Sequence, residues 1–128
     1  MRLLLDTHVL LWWVEDAPQL SRQARILLGD DRNDCFVSLV SAWEMAIKAG
    51  TGKLNLAVSV QRYFQEQLPA NDFRLLPITL EQVTRVETLP HHHRDPFDRL
   101  LIVQALQEGL SLVSIDLAFD RYGVTTIW

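Results

Sequence analysis

The stretch HRDPFDRLLIVQALQEGLSLVSID, residues 93–116, decides the fold class. Asp95-Pro96 predicts the start of a long helix that runs through Gln107, because proline is favoured at the first helical position, and Gly109 ends it. The apolar run that follows, residues 110–114, predicts a buried strand. A helix that leads directly into a buried strand is typical of a parallel sheet covered by helices.

The rest of the chain repeats this alternation of strands and helices. Ser21 and a capping box formed by Thr79 and Gln82 mark two of the helix starts. Strands are predicted over residues 2–6, 35–38, 73–76, 110–114 and 124–127, and helices over 7–15, 22–28, 41–49, 58–68, 79–89, 95–107 and 117–122. We therefore predict an α/β fold: a three-layer α/β/α domain with a central, mostly parallel sheet of about five strands.

Length and composition predict one globular domain over residues 1–128. Apolar residues make up 48% of the chain and charged residues 22%, which is ordinary for a folded domain. The single cysteine, Cys35, excludes an internal disulfide framework and fits a reducing compartment. The longest apolar runs, such as residues 9–14, are too short to span a bilayer. Asp6 interrupts the apolar run at the N-terminus, which is therefore too short for a signal peptide. These observations predict a cytoplasmic protein with no membrane association.

The charge balance argues against one class of nucleic-acid-binding protein. Twelve basic and sixteen acidic residues give a net charge of −4, whereas a domain that coats nucleic acid by neutralising phosphates is usually basic. An enzyme that meets phosphates through bound metal ions is compatible with this charge, because the ions supply the positive charge.

Four acidic residues are placed where a doubly wound sheet would bind a ligand. Asp6 ends the first predicted strand, Glu44 lies on the helix after the second, Asp98 lies in the first turn of the long helix, and Asp116 follows the fourth strand. Ligands of open parallel sheets bind beyond the carboxyl ends of the strands. Converging carboxylates repel one another, and a hard divalent cation such as Mg²⁺ or Mn²⁺ removes that repulsion. The pattern predicts hydrolysis of a phosphodiester by a metal-activated water.

Four segments also carry a family resemblance. LLDTHVLLW at residues 4–12, VSLVSAWEMAIK at 37–48, HRDPFDRLLI at 93–102 with Gln104-Ala105 after it, and LVSID at 112–116 resemble the four acidic segments of PIN domains. Their order and spacing are similar to those of VapC-type toxins, the ribonuclease halves of toxin–antitoxin pairs. The resemblance covers essentially the whole chain.

The resemblance implies a function and a set of site residues. Asp6, Glu44, Asp98 and Asp116 would be the catalytic, metal-binding residues, with Mg²⁺ or Mn²⁺ as the cofactor. RNA would be the substrate, a small VapB-type antitoxin would occupy the active-site groove, and the toxin would form a homodimer. Two departures affect residues near the site: many relatives have Asn in place of His8 and Thr in place of Ser114.

Each candidate residue also has a purely structural interpretation. Ser41 and Glu44 could form a capping box, Glu44 and Lys48 an i,i+4 pair, Asp95 a helix cap, and Asp116 another cap. The histidine run 91–93 lacks the spacing of a zinc site, and neither it nor Asp120 is assigned a role. Candidates for contacting the substrate or supporting the site are His8, Ser38, Ser41, Lys48, Asp95, Arg99 and Ser114.

Two other functions remain open at this point. Another Mg²⁺-dependent phosphoryl-handling domain is disfavoured, because phosphatases of that sort need a second aspartate where this chain has His8. A non-catalytic module that keeps the PIN fold and only binds a partner is distinguished by testing for metal-dependent RNA cleavage.

Overall fold

A computed structural model describes the whole chain, residues 1–128. The strands are β1 (Arg2–Leu5), β2 (Asp34–Ser38), β3 (Arg74–Leu76), β4 (Ser111–Val113) and β5 (Thr126–Ile127). The α-helices are α1 (Thr7–Glu15), α2 (Arg22–Gly29), α3 (Leu39–Gly50), α4 (Val60–Ala70), α5 (Leu80–Arg85) and α6 (Pro96–Glu108). Two short 3₁₀ helices cover Val86–Thr88 and Leu117–Tyr122.

All neighbouring strands pair in parallel, in the order β3-β2-β1-β4-β5. β1 lies at the centre, with Leu5 opposite Val37 of β2 on one side and Val113 of β4 on the other. The order reverses at β1, and such a switch point is where ligands bind in doubly wound sheets. The predicted α/β class and five-stranded sheet are confirmed.

Side chains of β1 alternate between two separate cores. Leu3 and Leu5 pack in a cluster of 14 buried residues together with Val9 of α1 and Met45 of α3. Leu4 points to the other face and packs in a cluster of 13 buried residues, five of them from α6. Successive strand residues face opposite sides of the sheet, so both faces are covered and the three layers are confirmed. No helix is long and apolar enough to cross a membrane.

The helix boundaries differ from prediction where a strand passes directly into a helix. We predicted that the third helix begins at Ser41, but it begins at Leu39, because the Ser38 hydroxyl at the end of β2 accepts a hydrogen bond from the Val40 N–H at 3.0 Å. The predicted helix over residues 79–89 is α-helical only to Arg85. The predicted helix over residues 117–122 is a 3₁₀ helix.

Gly109 ends α6 in a left-handed conformation with φ of 65°. Replacing Gly109 with Ala should lower the free energy of unfolding by about 1 kcal/mol, because a Cβ disfavours positive φ. Gly50, the last residue of α3, has no atom within 4 Å of a Cβ built on it and no positive φ, so Gly50→Ala is the matched control. Urea denaturation measures both variants, and an equal effect of the two would contradict the explanation.

Candidate functional site

Asp6 lies at the carboxyl end of β1 and is the N-cap of α1. Its residue is 9% exposed, and its Oδ1 accepts from the Thr7 N–H at 2.8 Å while its Oδ2 accepts from the Ser114 hydroxyl at 2.7 Å. Burial raises the pKa of Asp6 above its ordinary value, and the hydrogen bonds from Ser114 and Thr7 oppose that rise. Asp6 is therefore a buried carboxylate whose orientation is set on both oxygens.

Glu44 projects from α3 toward the same end of β1. Its Oε1 accepts from the Thr7 hydroxyl at 2.8 Å, and its Oε2 lies 2.5 Å from Lys48 Nζ. The Ser41 hydroxyl oxygen is 2.9 Å from that of Thr7. The predicted i,i+4 pair of Glu44 and Lys48 is thus confirmed, whereas the capping box of Ser41 and Glu44 is wrong, because Ser41 lies inside the helix.

The sequence analysis did not single out Thr7. It joins two of the predicted carboxylates, because its backbone N–H donates to Asp6 and its hydroxyl donates to Glu44. The available signal was its place directly after Asp6, at the start of α1, where its hydroxyl is held beside the end of the sheet.

Asp98 lies in the first turn of α6 and is half-buried. Its carboxylate has no hydrogen-bond or ion-pair partner in the protein. Its pKa is raised from an ordinary 3.8 to about 7, first by burial and then by the negative charges of Asp6, Asp95, Glu44 and Asp116. The sheet topology therefore brings Asp98 within electrostatic reach of the other acidic residues and of Lys48, but no cation forms an ion pair with it.

Asp116 follows β4 and has partners on both oxygens. Its Oδ1 accepts from the Ala118 N–H at 3.1 Å and caps the 3₁₀ helix, and its Oδ2 lies 2.9 Å from His93 Nε2. Its backbone N–H donates to the Ser114 hydroxyl at 3.1 Å, and that hydroxyl in turn donates to Asp6. Ser114 thus connects Asp6 with Asp116, and Asp116 also has the capping role that its structural interpretation predicted.

Comparison with known proteins identifies the family. The sequence model described as PIN domain matches residues 3–124. This chain belongs to the PIN domain family. It is 31% identical over 114 residues to Ribonuclease VapC22 of Mycobacterium tuberculosis, covering 88% of this chain and 85% of that protein.

Solved structures share the PIN fold at low sequence identity. A crystal structure of VapBC2 from Rickettsia felis bound to a promoter DNA fragment has a TM-score of 0.72 and 16% identity, covering 99% of this chain and 98% of its own. VapBC-1 from nontypeable Haemophilus influenzae has a TM-score of 0.66 and 17% identity, with coverage of 99% and 97%. FitAcB from Neisseria gonorrhoeae has a TM-score of 0.65 and 18% identity, with coverage of 98% and 96%.

Two residues predicted to support the PIN-domain site bind other parts of the fold. Arg99 was expected to contact phosphate, but it is 6% exposed and its guanidinium donates to the carbonyls of the 86–93 segment. The two terminal nitrogens of Arg99 are thus used to hold this loop, and nothing in the structure supports a contact between Arg99 and phosphate. The Ser38 hydroxyl caps α3 and donates to the side-chain oxygen of Gln104, so it stabilises the junction of β2 with α6.

The remaining predicted residues lie around the edge of the site. His8 is exposed on α1, lies against Trp12 with ring centroids 5.7 Å apart and planes tilted by 36°, and lowers the pKa of Asp6 electrostatically. Asp95 caps α6 by accepting from the Phe97 N–H at 2.8 Å, as its structural interpretation predicted. Asp120 accepts from the Thr126 N–H at 2.9 Å and so links the 3₁₀ helix to β5.

The acidic residues of this PIN domain form an open arrangement. No three side chains of the His, Cys, Asp and Glu types are placed so that together they could enclose one metal ion. The donor chemistry nevertheless fits a hard cation, since all four predicted ligands are carboxylates and Asp98 has no protein partner. Mg²⁺ usually keeps several waters and uses few protein carboxylates, so an open set fits it better than a closed cage would.

Proposed function

We propose that this PIN domain is the metal-dependent endoribonuclease toxin of a toxin–antitoxin pair. The similarity to Ribonuclease VapC22 over most of both chains supports this substrate class. The observation that carries the proposal is the Asp98 carboxylate, which lacks a partner and has its pKa raised to about 7 by burial and by neighbouring carboxylates. A site that repels its own negative charges needs a cation, and strongly shifted pKa values are typical of functional sites.

The cofactor in this proposal is Mg²⁺ or Mn²⁺, held by Asp6, Glu44, Asp98 and Asp116. When bound, such an ion neutralises phosphate charge and makes a water nucleophilic near neutral pH. Thr7 and Ser114 keep the carboxylates of Glu44 and Asp6 oriented toward the edge through the hydrogen bonds they donate. Hydrogen bonds that orient metal ligands in this way commonly decide how tightly those ligands bind the metal.

Two cations near the carboxylates suit an RNA backbone. The first is Arg94, which is exposed and lines a polar pocket next to α6. Phosphate oxygens are usually bound by such cationic and polar side chains, whatever the base sequence. Lys48 adds a cation on the other side, where it is already paired with Glu44. The net charge of −4 includes the acidic centre, and it is compatible with local contacts between basic side chains and phosphate.

The proposed biological setting includes a protein partner. The solved structures of similar fold named VapBC and FitAcB support a VapB-type antitoxin as that partner. Half-exposed apolar side chains on α3, including Trp43 and Ile47, support contact with a protein, either the antitoxin or a second copy in a homodimer. We also propose that residues 1–128 act as a single domain in the cytoplasm.

RNA cleavage assays with controlled metal content test the proposal. Cleavage by the purified protein should disappear in EDTA and return with Mg²⁺ or Mn²⁺ but not with Ca²⁺, because Ca²⁺ takes more ligands in looser geometry. Gel analysis of a defined RNA measures the products. Cleavage that persists in EDTA would contradict the metal dependence, and absence of cleavage with every metal would indicate a PIN domain that only binds a partner.

A further inference from the structure

His93 is held on all sides beside the acidic centre. Its side chain is 11% exposed, and its ring lies against Phe119 with centroids 4.7 Å apart and against Tyr122 at 5.4 Å. Its Nε2 is 2.9 Å from Asp116 Oδ2, and its Nδ1 is 3.2 Å from the Tyr122 hydroxyl. Both ring nitrogens therefore have a defined partner, which is unusual for a residue in a loop of three histidines.

Counting donors and acceptors assigns the protons in this chain of contacts. The His92 backbone N–H donates to the Tyr122 hydroxyl oxygen at 2.9 Å. A tyrosine hydroxyl has a single proton, and donating it to His93 Nδ1 uses that proton. The Asp116 carboxylate can only accept, so Nε2 carries a hydrogen and donates it, which leaves Nδ1 free to accept the Tyr122 proton. With the hydrogen on Nδ1 alone, the bare Nε2 would face the Asp116 carboxylate and that contact would lose its donor.

The backbone that carries His93 is anchored to the helix that carries Asp98. The Arg99 guanidinium donates to the carbonyls of Pro90 at 2.8 Å and His93 at 3.4 Å. His93 therefore connects the start of α6 with Asp116 after β4. Asp116 in turn is connected to Asp6 through Ser114.

We propose that His93 is a positioning residue of the active site. Its ring, with a hydrogen on Nε2, orients the Asp116 carboxylate, and the Tyr122 hydroxyl supports this arrangement by donating to Nδ1. Partners one contact away from a metal ligand commonly set the orientation of that ligand in this way. The tautomer is a property of the protein alone, whereas the effect on a metal ion rests on the proposed function.

The tautomer is tested by ¹⁵N NMR of the imidazole nitrogens in the metal-free protein at pH 8. We expect Nε2 of His93 to carry the hydrogen and Nδ1 to be bare. Tyr122→Phe removes the hydroxyl that donates to Nδ1 but leaves Asp116 as acceptor for Nε2, so the tautomer with its hydrogen on Nε2 should remain the major one and Nδ1 should lose its hydrogen-bond shift. A His93 ring with its hydrogen on Nδ1 in the unchanged protein, or an Nδ1 signal that is the same with and without the Tyr122 hydroxyl, would overturn the proposal.

The effect on metal binding is tested by calorimetry with Mn²⁺ alone. His93→Phe keeps an aromatic ring against Phe119 but loses the donor to Asp116, so Mn²⁺ affinity should fall by about 10- to 100-fold, the usual range for losing an orienting partner. His93→Gln retains an N–H donor and should recover most of the affinity.

His91→Phe, at an exposed position of the same loop, is the matched control and should bind Mn²⁺ as the unchanged protein does. Thermal melting checks that each variant folds. If His93→Phe does not fold, Mn²⁺ affinity is measured in Tyr122→Phe, which is the milder change. Unchanged Mn²⁺ affinity in His93→Phe would overturn the positioning role. If the unchanged protein binds no Mn²⁺, the proposed function fails, while the tautomer measurement still decides the hydrogen-bonded chain.

Discussion

Replacing Asp98 with Asn should abolish RNA cleavage and stabilise the metal-free protein above neutral pH. The loss of activity should be at least about 100-fold, because losing even an indirect partner of a metal ligand costs up to that much. The gain in stability follows from removing a charge that is half-buried and repelled by Asp6, Asp95, Glu44 and Asp116. Loss of activity together with a gain in stability is typical of a functional residue and differs from the loss of both that a structural residue shows.

The sign of the pH dependence follows from the direction of the shift. The pKa of Asp98 is raised from 3.8 to about 7, so the folded protein holds this proton at pH values where the unfolded chain has released it. Ionising Asp98 therefore destabilises the fold progressively from about pH 4 to about pH 7, and the penalty is complete above pH 7. After discounting for solvent screening of a partly exposed side chain, we expect a penalty on the order of 1–2 kcal/mol.

Urea denaturation of metal-free protein at pH 4.5 and pH 8 measures this effect. Asp98→Asn should be more stable than the unchanged protein at pH 8 and close to it at pH 4.5. Asp31→Asn, which changes an exposed acidic residue in the turn before β2, should alter neither stability nor cleavage. If Asp98→Asn is equally destabilised at both pH values, or still cleaves RNA, the role assigned to Asp98 is wrong.

Replacing Arg99 with Met should lower the free energy of unfolding by about 3 kcal/mol or more. Its guanidinium donates to the carbonyls of Val86, Leu89, Pro90 and His93, and the residue is 6% exposed. The buried Leu89 carbonyl left without a donor costs about 1–3 kcal/mol, and the part-buried carbonyls of Pro90 and His93 add smaller losses.

Arg99→Lys should recover little of this stability, because an ammonium group cannot reproduce the planar fork of donors that serves several carbonyls. Arg94→Met removes an exposed arginine five residues earlier and is the matched control. Chemical denaturation measures all three variants. A destabilisation below about 1 kcal/mol in Arg99→Met would show that water replaces the guanidinium, and the structural role of Arg99 would be refuted.

Features decided by neighbouring residues were predictable from the sequence. Helix α1 was predicted with the observed bounds, Thr7 to Glu15, and the capping box of Thr79 and Gln82 is present. Gly109 ends α6 as predicted. Caps, turn residues and the spacing of apolar side chains act within a few residues, so the one-dimensional order contains the information that determines them.

Errors arose where a side chain had two nearby uses. Ser38 and Ser41 are both suitable N-caps, and only the pairing of β2 with its neighbours in the sheet decides that Ser38 is the one that caps α3. Arg99 has the appearance of a phosphate ligand in the sequence, yet it serves the carbonyls of a loop. The type of a residue does not reveal which of its possible partners the fold will place beside it.

The sequence by itself determined the α/β class, most helix ends and the four acidic candidates, because those follow from local pattern and from the general geometry of parallel sheets. Only the tertiary structure decided how these side chains are oriented. Ser114 and Asp6 meet across 108 residues, Thr7 and Glu44 across 37, and His93 and Asp116 across 23. Contacts at such separations depend on strand order, register and helix packing, which no local preference specifies.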